Sequence, residues 1–411
     1  MDASEFTSLP KVAEAVERAT KAVAKSPVSD ITDTKGNQYV DMVMEGGGVF
    51  GIALLGYIYV LEQANIRFLG IGGTSAGSIV ALLLAALNRR DEPKTPKLIK
   101  YMSDKRFSDF IDGDSDAKDF IKAFIAGSKN FKLAFKGAQV IDNIRDNLGL
   151  NPGEEFRLWI KNILDAEGVS TLDELNKRIY QIPEGLCIGD KPFTDSTEAG
   201  LRLAIIAADI VREVKVEFPA MAHMYWKQAN NIHPADFVRA SMSIPFFFEP
   251  VRVSDIPTAH SAASDWEKYA GIRYGSDDIM PDHAIFVDGG IMSNFPIDIF
   301  HDRTKVPCAP TFGIKLQLDG RHQAITGPLS FMMAMFNCAR HTLDYDFLLK
   351  NPDYKNLVAW IPCEGYSWLD FHISDKNMLG LFQEGATEAA NFLERFNWNE
   401  YKEFRAGQLE A

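Results

Sequence analysis

A serine set among small residues, Gly73-Thr74-Ser75-Ala76-Gly77, is the first feature of the chain with the makings of a nucleophile. In a G-x-S-x-G string the glycines let a strand turn sharply into a helix, so that the serine oxygen projects over the helix N-terminus. A serine hydroxyl attacks a carbonyl only where one group takes its proton and others hold the oxyanion. For the oxyanion the chain offers Gly46-Gly47-Gly48, with Gly51 three residues further on. Backbone without side chains can turn several N–H groups inward there, aided by the positive end of the helix that follows. For the proton there are two kinds of acceptor: Asp288, in Val287-Asp288-Gly289-Gly290, and the late histidines His341 and His372. Asp-Gly is also a common turn pair, and a histidine joins a catalytic set only through geometry, so the residues alone leave both open.

Gly46, Gly48 and Gly51 also satisfy G-x-G-x-x-G, the dinucleotide-binding fingerprint. That reading needs an acidic residue after the second strand to hold a ribose, whereas here the strand runs into Gly72-Gly73-Thr74-Ser75. An α/β-hydrolase would use Ser, Asp or Glu, and His in that order, yet its nucleophile normally follows several strands and Ser75 follows only the second.

The elements that must position these residues are legible from periodicity. Residues 9–25 repeat Val and Ala at helical spacing, and Asp30 to Asn37 reads as a polar linker. Tyr39 to Met44 predicts a strand, Ile52 to Ala64 a helix, Arg67 to Ile71 a strand and Ala76 to Leu87 a helix. This β-α-β-α start predicts an α/β fold with both glycine motifs at strand-to-helix turns. Residues 93–180 read as a helical insertion or cap, with segments at Ala117 to Ala126 and Glu155 to Ala166. Strand signals resume at Leu203 to Ala207, Val214 to Phe218, Ala284 to Val287, Pro310 to Leu316 and Leu357 to Pro362. Ser254 to Asp282 reads as loop, and Met378 to Phe396 as a closing helix. The apolar runs Phe246 to Phe248 and Phe331 to Phe336 read as buried strand and core helix, or as the wall of an acyl site.

Composition narrows the partners. Apolar residues make up 46% of 411, enough for a large core. A net charge of −13 disfavours nucleic acid, and it disfavours a purely electrostatic hold on anionic membranes. Lys122, Lys129, Lys132 and Lys136 form a local basic run that reads as a solvated face. The four cysteines are scattered without metal-ligand spacing, so no metal is expected, and free thiols fit a reducing compartment. The N-terminus has no apolar core of a signal peptide, and no transmembrane span is expected.

Taken together, the ordered motifs resemble the patatin-like phospholipases, whose signature joins a Gly-rich oxyanion loop, a G-x-S-x-G elbow one β-α unit later and a distal D-G-[GA]. The similarity extends to Arg239-Ala240-Ser241-Met242-Ser243-Ile244-Pro245, Phe248, Pro250, Asp209, Asn294, Pro296 and the stretch Asp370 to Gly385. The resemblance implies a three-layer α/β fold with a mostly parallel sheet flanked by helices and carrying a helical insertion. It implies catalysis by a Ser75–Asp288 dyad through an acyl-enzyme, with Gly46, Gly47 and Gly48 as the oxyanion hole. Gly51, Gly73, Gly77, Gly289 and Gly290 support those turns. No cofactor is implied. The implied substrate is a phospholipid or related lipid ester, met by a cytoplasmic protein in peripheral contact with a membrane. An idle lipid-binding or storage role on the same scaffold is the alternative. The expected domains are an N-terminal extension over 1–38, open to regulation by an activator, a catalytic domain over 39–396 and a tail over 397–411. One position departs from the family: Phe50 stands where members often carry Lys or Arg before the last glycine of the loop.

Overall fold

The structure, a computed structural model, describes residues 1–115, 117–118, 146–258, 262–275, 277–300, 302, 304–317, 325 and 328–410. Its strands are β1 (Ile31–Thr32), β2 (Gln38–Met44), β3 (Ile66–Thr74), β4 (Gly149–Asn151), β5 (Cys187–Ile188), β6 (Lys191–Pro192), β7 (Arg202–Asp209), β8 (Val214–Phe218), β9 (Phe246–Phe248), β10 (Val251–Ser254), β11 (His283–Asp288), β12 (Thr311–Gln317) and β13 (Val358–Pro362). Its helices are α1 (Ala3–Thr7), α2 (Pro10–Lys25), α3 (Gly51–Gln63), α4 (Ala76–Ala86), α5 (Thr95–Ser103), α6 (Glu154–Ala166), α7 (Leu172–Ile179), α8 (Ala222–Tyr225), α9 (Ala235–Ser241), α10 (Ala263–Ala270), α11 (Pro328–Lys350), α12 (Asp375–Arg395) and α13 (Trp398–Glu410).

The parallel strands β13, β12, β2, β3 and β7 form the spine of the sheet in that order. Strands β8 and β11 pair antiparallel with β7. Helices α3 and α4 are apolar almost all round and almost wholly buried, as helices wedged into a core must be. This is the expected mixed α/β fold, a mostly parallel sheet flanked by helices.

Helix α3 packs on α12 at unusually close range. A Cβ on Gly56 would stand 2.0 Å from the Phe382 carbonyl oxygen, and one on Gly385 would stand 1.9 Å from that of Ala53. Two backbones in contact leave no room for a methyl group, so Gly385→Ala is expected to destabilise the fold by about 1–3 kcal/mol, the usual cost of overpacking. Urea unfolding checks it; an unchanged midpoint would show that the two helices can part freely.

Several expectations need correction. The expected tail over 397–411 is a packed helix over its described residues, since α13 buries Trp398, Tyr401 and Arg405, and Arg405 pairs with Asp353 at 3.1 Å. Its anchors lie far away in sequence, where local periodicity cannot register them. The stretch 254–282 contains α10, whose Trp266 is buried beneath the Arg212 guanidinium at 4.5 Å. The linker over 30–37 contains β1, too short to show a period. Helix α2 is the one expected over 9–25; it packs on α12, with Arg18 reaching Glu394 and Asn391. The insertion contributes α5, α6 and α7 but also β4, which pairs with β9. Residues 119–145, which hold the four lysines of the basic run and most of the helix expected over Ala117 to Ala126, lie outside the described residues.

Candidate active site

Strand β3 ends at Thr74, and α4 starts at Ala76, so Ser75 occupies the turn between them with φ of 51° and ψ of −119°. A side chain rarely adopts that backbone, and the strain aims the hydroxyl away from strand and helix alike. The turn closes only because its neighbours are small: a Cβ on Gly73 would lie 2.4 Å from the Gly77 carbonyl carbon, and one on Gly77 would lie 2.3 Å from the Met44 oxygen. Ser75 itself is 5% exposed.

Register brings Asp288 to it. On β7, Thr74 of β3 pairs opposite Ile206, and Asp288 of β11 pairs opposite the next residue, Ala207. Because β8 holds the other edge of β7 over 205–209, β3 and β11 share one edge and approach tip to tip. The Ser75 hydroxyl lies close enough to the Asp288 carboxylate to favour its ionised form, and the Gly290 N–H donates to that carboxylate at 2.8 Å. Gly289 lets β11 close on β7, since a Cβ there would meet the Ile206 oxygen at 2.2 Å. Burial pushes the Asp288 pKa above the usual carboxylate value, while Arg340, the nearby Ser75 hydroxyl and the Gly290 N–H pull the other way.

The segment around α9 stitches the two halves. The Ser75 N–H donates to the Ser241 hydroxyl at 3.0 Å, Ser241 donates to the Ile206 carbonyl at 2.5 Å, and the Asp288 N–H donates to the Ser243 carbonyl at 2.8 Å.

The glycine loop lies alongside, with Gly46 against the Ser75 Cβ. Its donors are unequal. The Gly46 N–H already donates to the Asn294 carbonyl at 3.0 Å, which removes it from the expected oxyanion donors. No hydrogen bond engages the Gly47 or Gly48 N–H among the described residues. Gly48 has φ of +54° and sits so close to Trp368 that a Cβ would meet its carbonyl oxygen at 2.1 Å. Behind the loop, Glu45 accepts from Lys315 at 2.7 Å, the Leu316 N–H at 2.6 Å and Asn294 at 3.2 Å. That buried ion pair fixes a geometry more than it adds stability.

The histidines take no part at this site among the described residues. His372 is exposed and bonds only locally to Asp370, and the His341 side chain lies outside the described residues. Nor is any group of three His, Cys, Asp or Glu side chains placed to hold a metal among the described residues.

Ser75 and Gly48 line a narrow apolar channel with a cavity volume of about 100 Å³. Helices α3 and α4 supply Ile52, Leu55, Val80 and Leu83, the insertion supplies Tyr101, Phe110 and Trp159, and Phe248 and Phe371 close the side. Phe248 thus lines the channel as well as the core. The other apolar run splits: Met333 and Phe336 are buried, whereas Phe331 and Met335 are about half exposed.

A strained serine on a strand-to-helix elbow, an aspartate met tip to tip and a glycine loop thus lie together in the fold. The chain belongs to the patatin-like phospholipase family, whose model matches residues 42–301, which places the protein among lipid hydrolases. It is 26% identical over 364 residues to the uncharacterized protein YqhO of Bacillus subtilis strain 168, covering 88% of this chain and all of that one. Among solved structures it is similar to VipD from Legionella pneumophila, at 14% identity over 90% of this chain and 70% of that one, with a TM-score of 0.41. It is also similar to a chain of the ExoU–SpcU complex of the Pseudomonas aeruginosa type III secretion system, at 14% identity over 91% of this chain and 52% of that one, with a TM-score of 0.33. No helix among the described residues is long and apolar enough to cross a membrane.

Proposed function

We propose that the protein cleaves acyl ester bonds of phospholipids or related lipids through a Ser75–Asp288 dyad. The observation that carries the reading is the strained Ser75 elbow, whose hydroxyl lies beside the buried Asp288 carboxylate and lines an apolar channel.

The acyl chain lies in the channel and brings its ester carbonyl to Ser75. As the serine oxygen attacks, its proton passes to Asp288, and the carbonyl oxygen gains the charge that the Gly47 and Gly48 N–H groups receive. An aspartate is a weak base for an alcohol, so proton transfer accompanies attack, and a pKa raised by burial makes it a better acceptor. Asp288 then returns the proton to the departing alcohol, leaving an acyl-serine. Water attacks that ester, giving its proton to Asp288, and the fatty acid leaves as Ser75 is protonated again.

Residues 39–396 form the unit that carries this chemistry. Phe331 and Met335, one turn apart and exposed on α11, support peripheral contact with a lipid surface.

The reading is tested by following free fatty acid from phosphatidylcholine vesicles and from nitrophenyl esters of increasing acyl length. Leu83→Trp, which fills the channel, is expected to lower kcat/KM for long-chain esters by about tenfold or more while sparing the butyrate ester. An equal loss at every length would place the acyl chain elsewhere, and no fatty acid release by the wild type would end the reading.

A further inference from the structure

The loop from Glu45 to Gly51 contains no Lys or Arg, yet a cation reaches it from α11. Arg340 is 7% exposed and donates through one guanidinium nitrogen to the Gly46 carbonyl at 2.8 Å. Its guanidinium lies over Trp368 at 4.8 Å and over Phe336 at 5.6 Å. The Trp368 carbonyl also accepts from the Val49 N–H at 3.0 Å, so one residue holds both the loop and the cation.

The Gly46 carbonyl and the Gly47 N–H belong to the same peptide unit. A charged donor on the oxygen draws electron density through the amide and leaves the N–H more positive. We infer that Arg340 is a positioning residue of this site, which polarises the Gly46–Gly47 peptide from behind and so strengthens the Gly47 N–H as an oxyanion donor. This rests on the serine–aspartate reading above. Asn294 shares the carbonyl at 3.3 Å but brings no charge.

The same guanidinium acts on Asp288, favouring its ionised form. Among the described residues, Glu45 also pairs with Lys315 at 2.7 Å behind the loop, and Asp209 with Arg212 at 2.9 Å at the end of β7. Arg340 therefore serves both tasks, holding a donor for the oxyanion and keeping the base able to accept a proton.

The test uses p-nitrophenyl butyrate, with Arg340→Gln removing the charge while keeping a donor, and Arg340→Lys keeping the charge. In a folded Arg340→Gln, kcat is expected to fall by about tenfold or more at nearly unchanged KM, with the acid limb of the pH profile moved to higher pH. Arg340→Lys is expected to restore most of kcat and the wild-type acid limb. A wild-type kcat and acid limb in Arg340→Gln would overturn the inference. So would a Lys variant as impaired as Gln, which would mean that hydrogen-bond shape alone matters. Should Arg340→Gln not fold, a folded Arg340→Lys that has lost about a hundredfold or more in kcat overturns it equally, because the charge it retains is the proposed agent. Ser75→Ala is run alongside: activity persisting there ends the dyad reading itself, whereas its loss beside a wild-type Arg340→Gln removes only the role of Arg340.

Discussion

Ser75→Ala is expected to give a folded protein that takes no fluorophosphonate label and releases fatty acid about ten-thousand-fold more slowly than wild type, or slower still. The size follows from what the hydroxyl does, since without it no acyl-enzyme forms and only a bare cavity with oxyanion donors remains. Folding is spared because alanine keeps the Cβ and the backbone at this turn. The bond from the residue 75 N–H to Ser241 is also untouched, because it is a backbone donor. Labelling followed by peptide mapping is the direct check. A probe found on another serine, with hydrolysis intact, would remove Ser75 from the mechanism.

Asp288→Asn is expected to cost about ten-thousand-fold in kcat, because an amide accepts no proton at the moment of attack. In the wild type, with Asp288 as the proposed base, its raised pKa is expected to make activity fall away with acidification above the ordinary carboxylate range, as that carboxylate is protonated. Stability follows the opposite course. A carboxyl whose folded pKa lies above its unfolded value holds its proton more tightly when folded, so the native state loses stability as pH rises from the unfolded value through the folded one. Asparagine escapes that loss. The variant should therefore melt at or above the wild-type temperature at neutral pH, the difference closing at strongly acid pH. A variant both inactive and much less stable would make Asp288 a structural residue first. The double variant Ser75→Ala, Asp288→Asn should be hardly worse than either alone, since the pair acts as a unit.

How far the sequence disclosed all this depended on range. The β-α-β-α start was legible because α3 and α4 carry long apolar runs and each glycine motif marks the turn between its neighbours. The serine elbow and the distal Asp-Gly-Gly could be named because turn chemistry is local. Which of the loop's N–H groups are open could not be read, since Gly46 is occupied by Asn294, some 250 positions away. Arg340 was invisible for the same reason: it is one arginine on a long helix, and only folding brings it behind the loop. Glu45 gave the one weak signal, a carboxylate beside a glycine run, but its partner Lys315 lies on β12. The helices α10 and α13 were missed because their buried faces are narrow and their anchors distant.

The shared edge of β7 turns strand pairing into a ruler for chemistry. Thr74 and Asp288 face successive residues of one strand, so the reach between the proposed nucleophile and its proposed base is set by a single peptide step rather than by either side chain. A slip of one residue in the pairing of β11 would turn Asp288 to the opposite face of the sheet. One residue inserted near the end of β11 would thus silence the protein while leaving every catalytic side chain in the chain, and one removed nearby would restore it. The hydrolase is, in that sense, tuned by counting.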